Sequence, residues 1–369
     1  MPSAGSTVGR VALITSRFQS EYPLDPQALA HLSESFKQGW ADPSKVSSDS
    51  ALLRPLLAEA KATFAKYFGV RGDEIYFVGE PPLGFHLTIN GLIGDGVLHY
   101  NATDRQPVHS IAQQRENNNL PNHLHHSNTV GDDIDDPGCL SDFHDLQIYQ
   151  PINPETGIER PAPHTKARLV VDNTAFGLSP QLPTNWHGAI WQSRSWHGPS
   201  GLGVIAIRTG AHWRNPLPSI DVEKVPQSFS IPLLLASAIA LENFAQSFEK
   251  TKEEISHLNA RIRNYFTDVI GEVSIAGEED RSRPHLISVA ISGVDSEKLV
   301  KDLADRGFAV DSGSACLSSN MAPSHVLAAM GLPTTGNLRL TLHPQTSADE
   351  VEALMVATKE LVMQQRTAL

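Results

Sequence analysis

Apolar residues recur along this chain in two rhythms. Leu52, Leu53, Leu56, Leu57, Ala60, Phe64 and Phe68 fall on one helical face, with Ser48 or Asp49 placed to cap it and Gly69 to end it. Pro55 fits such a helix only in its first turn, where its missing N–H costs nothing. Short continuous apolar runs follow: Ile75-Tyr76-Phe77-Val78, Gly96-Val97-Leu98-His99-Tyr100, Leu146-Gln147-Ile148-Tyr149, Leu169-Val170-Val171 and Gly203-Val204-Ile205-Ala206-Ile207. Continuous rather than alternating hydrophobicity predicts strands buried on both faces, hence a mainly parallel sheet covered by helices. Helical periodicity then predicts two long helices, over 231–248 and 252–270. The rest reads as strand (286–291), helix capped by Asp295 or Ser296, strand (308–310), helix, strand (338–342) and a final helix (348–363). The pattern divides into a large α/β domain, 1–250, and a small α+β domain, 251–369. The N-terminal segment is free to pack against the small domain.

Composition narrows the partners. The 369 residues are 40% hydrophobic and 19% charged, with a net charge of −12. That balance argues against nucleic acid and anionic membranes, which call for a basic surface. No apolar run approaches a membrane span, and Val11-Ala12-Leu13-Ile14 is too short for a signal-peptide core. Two cysteines, Cys139 and Cys316, are too few for a disulfide framework, so a reducing cytoplasm is expected.

The candidate chemistry centres on Cys316, in Asp311-Ser312-Gly313-Ser314-Ala315-Cys316-Leu317-Ser318-Ser319. Small residues leave room around the thiol, and backbone N–H and hydroxyl groups can stabilise its reactive thiolate. Alone, Gly-Ser-Ala-Cys reads more readily as a small-residue loop around an inert cysteine. Followed by Pro323-Ser324-His325-Val326-Leu327 and Met330-Gly331-Leu332, it resembles the active-cysteine loop of the cysteine desulfurases. Those enzymes use pyridoxal phosphate (PLP) to lift sulfur from cysteine. The resemblance extends almost end to end. Pro23-Leu24-Asp25-Pro26 resembles the family's "TPVDP", Trp40-Ala41-Asp42-Pro43-Ser44 its "GNPSS", Ile152-Asn153-Pro154-Glu155-Thr156-Gly157 its "NNETG", and Gly198-Pro199-Ser200-Gly201-Leu202-Gly203 its "GPKGIG". It implies PLP fold-type I in the aminotransferase class V branch, and a homodimer.

The resemblance also implies roles. Asp172 matches the carboxylate that keeps the cofactor's pyridine protonated, and Asn153 and Ser228 match cofactor-binding positions. His109 matches the imidazole that stacks on the ring, and Arg339 the guanidinium that grips a substrate carboxylate. Each has a plain alternative: Asp172 a turn cap, His109 a satisfied histidine, Arg339 a salt-bridge partner. Other required parts are altered. The lysine that would form the aldimine falls on Ser195 when counted back from Gly198, or on Trp196 when counted forward from Ser193. The nearest upstream lysine, Lys166, lies across the Asp172 strand. The phosphate-binding helix start reads Gly79-Glu80-Pro81-Pro82-Leu83, where two prolines remove N–H donors and Glu80 adds a like charge. Ala175 replaces a glutamine expected three residues after Asp172, prolines at 161 and 163 disfavour a helix before that strand, and Pro226-Gln227-Ser228 is a shortened "RSGT".

Two further groups stand out. His123, His125 and His126, with Asp132, Asp133, Asp135, Asp136, Cys139 and His144, carry metal-competent side chains but no compact zinc spacing. A solvated loop over 123–145 is the expectation, with no metal. Trp186, Trp191, Trp196 and Trp213 bracket the altered lysine segment and are expected in core and subunit packing. Trp196 also has the bulk to fill a pyridoxal ring's space. Together these features predict a desulfurase-like chain with a degenerate site. PLP would be absent or bound weakly without a covalent link, and Cys316 would relay a persulfide or serve a sulfur-acceptor or desulfurase partner. The alternatives are an active PLP-dependent cysteine desulfurase or lyase with an unusual cofactor arrangement, and a structural partner of a genuine desulfurase.

Overall fold

A computed structural model describes residues 13–38, 41–43, 45–133, 142–178, 181–223, 225, 226, 229–312 and 324–368. Cys139, Ser228, Cys316 and its 313–323 segment lie outside the described residues.

Among the described residues, β2 (Ile75–Val78), β3 (Leu98–Asn101), β4 (Asn122–His125), β5 (Leu146–Tyr149), β6 (Arg168–Asp172), β7 (Trp186–Gln192) and β8 (Gly203–Ile207) form one sheet, in the order β2-β8-β7-β6-β5-β3-β4. The pairs β3/β4, β3/β5, β5/β6 and β6/β7 are parallel, while β8 runs antiparallel to both its neighbours. The sheet is mainly parallel, as the continuous apolar runs predict. The strand β7 is an addition. His187 and Gly188 interrupt its apolar run, yet it sits near the sheet's centre. A Cβ at Gly188 would lie 2.4 Å from the Thr88 Cγ2, so glycine is what lets the helix α3 (Pro81–Ile93) pack so close.

One face buries Val78, Leu98, Val170, Ile190 and Ile205 against α3 and α4 (Gln106–Asn117). The other buries Val171, Ala189, Trp191 and Val204 with residues of α2 (Ser48–Phe68) and α5 (Ile231–Tyr265). α2 begins at Ser47, whose Oγ accepts the Ser50 N–H, and ends at Gly69 in the left-handed region (φ 67°). Its buried stripe is Leu53, Ala60, Phe64 and Phe68, while Leu52 stays 64% exposed. Pro55 lies well inside this helix rather than in its first turn. The two helices expected over 231–248 and 252–270 are one continuous α5. Glu249-Lys250-Thr251-Lys252 interrupts the hydrophobic pattern but holds no helix breaker, and Lys252 pairs with Glu249 at 2.9 Å. A turn of π-helix over 266–270 then closes onto Gly271 (φ 66°). By length and composition α5 passes for a membrane span, yet most of its apolar surface is buried against α1 (Pro26–Gln38), α2 and the sheet.

Beyond α5, β10 (Leu286–Ile291) pairs antiparallel with β9 (Val273–Ile275) and β12 (Asn337–Thr341). β11 (Phe308–Val310) pairs in parallel with β1 (Ser16–Phe18), drawing the N-terminal segment to the C-terminal sheets. α6 (Ser296–Asp305) is capped by Asp295, and α8 (Ala348–Thr367) by a reciprocal Ser347/Glu350 capping box. A short helix, α7 (His325–Ala329), follows the 313–323 segment.

Candidate active-site cleft

In parallel sheets, side chains at the carboxyl ends of strands meet in a crevice between the following loops and helices. Asp172 ends β6 and is 1% exposed. Its Oδ1 accepts the Thr174 N–H (2.9 Å) and hydroxyl (2.5 Å), and its Oδ2 accepts Gln150 Nε2 (3.1 Å). Gln150 in turn accepts Asn153 Nδ2 at 3.0 Å, and Asn153 Oδ1 takes the N–H groups of Glu155 and Thr156. Asn153 thus reaches Asp172 through Gln150, its own oxygen spent on the turn that follows it.

The cation at this carboxylate is Arg105, which the sequence reading did not single out. Arg105 is the N-cap of α4, directly after β3, and its Nε stands 3.6 Å from Asp172 Oδ2. Burial pushes its pKa down, opposed by the charges of Asp172 and Glu155, while Arg339 adds to the lowering. His109 sits one helical turn further on. Its ring packs edge-on against Tyr100 and His325, each at 5.3 Å between centroids, and its buried Nε2 has no hydrogen-bond partner. Burial, then His325, holds the His109 pKa below the usual imidazole value. Next to Arg105, Asp104 accepts the Asn101 N–H at 2.8 Å and leaves Oδ1 unpartnered. Burial pushes its carboxyl up to about 7.

Arg339 lies in β12 opposite Asp311. The two exchange backbone hydrogen bonds (2.8 and 3.1 Å), and Arg339 Nη2 is 3.4 Å from Asp311 Oδ2, which also accepts the Ser20 N–H. Asp311 and Ser312 immediately precede the 313–323 segment. On its far side Ser324 donates to Glu155 Oε2 at 2.5 Å, and His325 Nε2 contacts the Asp104 carbonyl oxygen at 2.9 Å. One end of the Cys316 segment is therefore tied to Arg339, and the other to the residues flanking Arg105 and Asn153.

At the altered lysine positions, Ser195 Oγ donates to the Gln192 carbonyl at 2.7 Å, within its own turn. Trp196 is fully buried on the helix side of the sheet, near Phe64 and Phe68, so the indole fills core rather than cleft. Lys166 is exposed before β6, six residues from Asp172, about 20 Å along an extended chain. At the start of α3, Glu80 is the N-cap and Pro81 and Pro82 are the first two helical residues, leaving Leu83 as the first N–H donor. Among the described residues no group of three or more His, Cys, Asp or Glu is arranged to hold a metal. His123 and His125 lie in β4 rather than in a loop.

The family model "Aminotransferase class-V" matches residues 151–354. The cysteine desulfurase IscS of Clostridium botulinum is 28% identical over 185 residues, covering 47% of this chain and 46% of that relative. The chain thus spans about half the length of that relative. Cysteine desulfurase IscS of Rickettsia prowazekii is 24% identical over 343 residues, covering 85% of this chain and 82% of the relative. Among solved structures, a NifS-like protein superposes with a TM-score of 0.83 at 16% identity, covering 95% of this chain and 99% of the other. The apo cysteine desulfurase of Thermococcus onnurineus NA1 gives 0.77 at 17% identity, covering 95% of each chain.

Proposed function

Because this chain belongs to the aminotransferase class-V family and is cysteine desulfurase-like within it, we propose that it handles sulfur through Cys316 rather than through a pyridoxal aldimine. Its α/β architecture is that of PLP fold-type I. The observation that carries the proposal is the approach of Arg105 to Asp172. The carboxylate that a protonated pyridine nitrogen would need already faces a guanidinium, and its oxygens hold Gln150 and Thr174 as well. Ser195 and Trp196 have no amine to offer, Pro81 and Pro82 withdraw two donors from the phosphate end, and Ala175 makes no hydrogen bond to a ring oxygen. This donor set does not fit the cofactor, and any PLP would bind weakly and without a covalent link.

Cys316 would then accept sulfur from a donor persulfide. Its thiolate attacks the outer sulfur of R–S–SH, an S–S bond forms on Cys316, and the donor's S–S bond breaks to release R–S⁻. Attack by an acceptor thiolate on the outer sulfur of the Cys316 persulfide repeats the exchange and regenerates the thiolate. Each step is redox-neutral and needs no electron sink. The donor or acceptor is a partner protein, a genuine desulfurase or a sulfur acceptor, and the chain acts as a homodimer.

The test is an absorbance scan of purified protein with added PLP, before and after borohydride, alongside persulfide transfer to wild type and Cys316→Ser. The expectation is no borohydride-reducible chromophore, and a persulfide that forms on wild type and is lost in the variant. A stoichiometric reducible chromophore restores the conventional desulfurase. Absence of both signals leaves a structural role beside a desulfurase.

A further inference from the structure

Arg105 carries five N–H donors and spends none of them on a described residue. Its Nε is shielded from solvent without a hydrogen-bond partner, and 3.6 Å to Asp172 is longer than a hydrogen bond. Arg339 is in a similar condition. Its Nε is shielded and unpartnered, and its ion pair with Asp311 is open at 3.4 Å. Of the nearby carboxylates, Asp172 is committed to Gln150 and Thr174 and Glu155 gives one oxygen to the Ser324 hydroxyl, while the Asp104 Oδ1 next in the chain makes no hydrogen bond to the guanidinium. A shielded, unpartnered Nε–H on each guanidinium costs free energy that an acceptor from solution recovers, and the remaining N–H groups face solvent free to join it.

We propose that Arg105 and Arg339 anchor a small dicarboxylate in this cleft, with Arg105 holding one carboxylate where a pyridine ring would otherwise lie. The inference rests on the reading that PLP does not fill the cleft. A guanidinium fork matches a planar carboxylate in two parallel hydrogen bonds. A carboxylate brings one negative charge to a cation already partly balanced by Asp172 and Glu155. A phosphate dianion would bring two, against the same acids. Arg105 at the β3–α4 junction and Arg339 on β12 lie close enough for their charges to act on each other, and two such cations suit a ligand with an anionic group at each end.

Isothermal titration calorimetry of the full chain with succinate, inorganic phosphate and PLP tests this on wild type, Arg105→Lys and Arg339→Lys. Lysine keeps the charge and removes the fork. Succinate is expected to saturate wild type at one site per chain, phosphate to bind about tenfold more weakly or worse, and each lysine variant to lose about tenfold or more in succinate affinity. Circular dichroism checks that the variants fold, and if one does not, the other carries the same expectation. No saturable succinate binding, equal affinity in the folded variants, or phosphate binding tighter than succinate overturns the proposal. A borohydride-reducible PLP adduct overturns the cofactor-free reading instead, whatever succinate does, so the two failures are told apart.

Discussion

His197 Nε2 and His343 Nδ1 stand 3.0 Å apart, joining the turn after Ser195 to the residues beyond β12. The Gln19 carbonyl lies 3.0 Å from His343 Nε2 and can only accept, so His343 carries its proton on Nε2. Its Nδ1 is then the acceptor and His197 Nε2–H the donor. Tyr22 stacks on the His197 ring at 4.3 Å and lies tilted against the His343 ring at 4.0 Å between centroids. Adding a proton to His343 Nδ1 would set two N–H groups against each other.

That arrangement predicts an acid-sensitive fold. Burial, then His343, holds His197 at about 3, and burial holds His343 at about 4. His285, stacked on Phe176 with both ring nitrogens unpartnered, is held at about 3 by burial. Folded values below the unfolded ~6.5 mean that the stability from the neutral rings is complete above that pH. It is lost as pH falls from ~6.5 towards 3–4, by up to about 1.4 kcal/mol per unit for each histidine. Asp104 acts oppositely: its raised pKa of about 7 is a strain relieved as pH falls below 7. Three histidines outweigh one aspartate, so the urea midpoint should drop between pH 7.5 and 5. His343→Asn should flatten that drop. A midpoint that does not move across this range counts against the arrangement.

Trp196 should matter to stability rather than to ligand binding. Its Nε1–H donates to the Ser237 carbonyl at 3.1 Å, and the ring packs between α2 and the sheet. Trp196→Ala should cost about 3–5 kcal/mol by urea denaturation, and Ser195→Ala less than about 1, its hydroxyl serving only its own turn. Equal losses at the two positions would place the indole somewhere other than the core.

How much of this was legible in the sequence differs by element. The runs at 75–78, 146–149 and 203–207 became strands with those bounds, because an unbroken apolar stretch buried on two faces leaves few alternatives. β4 was hidden by its polar residues, Asn122, His123 and His125. It is held by backbone pairing to β3 at the sheet's edge rather than by apolar burial. Arg105 was hidden in an ordinary polar loop. The available signal was Pro107 in the first turn of α4, which marks the strand-to-helix junction where cleft residues gather. Asp172 was legible because it ends an apolar strand, whereas its partners Gln150 and Arg105 come from two other segments that no local pattern connects to it.

The proposed homodimer is open to direct measurement. A cavity of about 770 Å³ opens between the Ala41-Asp42-Pro43 turn, α2 and the segment entering α5, and it is lined in part by the half-buried Leu57 and Phe229. Light scattering at micromolar concentration should return twice the 40.1 kDa chain mass. A clean single-chain mass would remove the dimer from the proposal.

Cys316 should be alkylated faster than Cys139. Cys316 lies five residues beyond Asp311, which Arg339 grips by backbone and side chain. A positive charge near a thiol lowers its pKa from an ordinary ~8.5 and raises the thiolate fraction at neutral pH. Arg339→Ala removes the charge and the side-chain hold on Asp311 while leaving the backbone pair, whereas Arg339→Lys keeps the charge without the guanidinium fork. Iodoacetamide rates measured against pH should therefore show a Cys316 midpoint below that of Cys139 in wild type. The midpoint should shift upward in Arg339→Ala and be largely restored in Arg339→Lys. If Arg339→Lys behaves like alanine, the arginine acts by positioning Asp311 rather than by its charge. If both cysteines react at equal rates in all three proteins, Cys316 is an ordinary thiol and the sulfur-relay role fails with it.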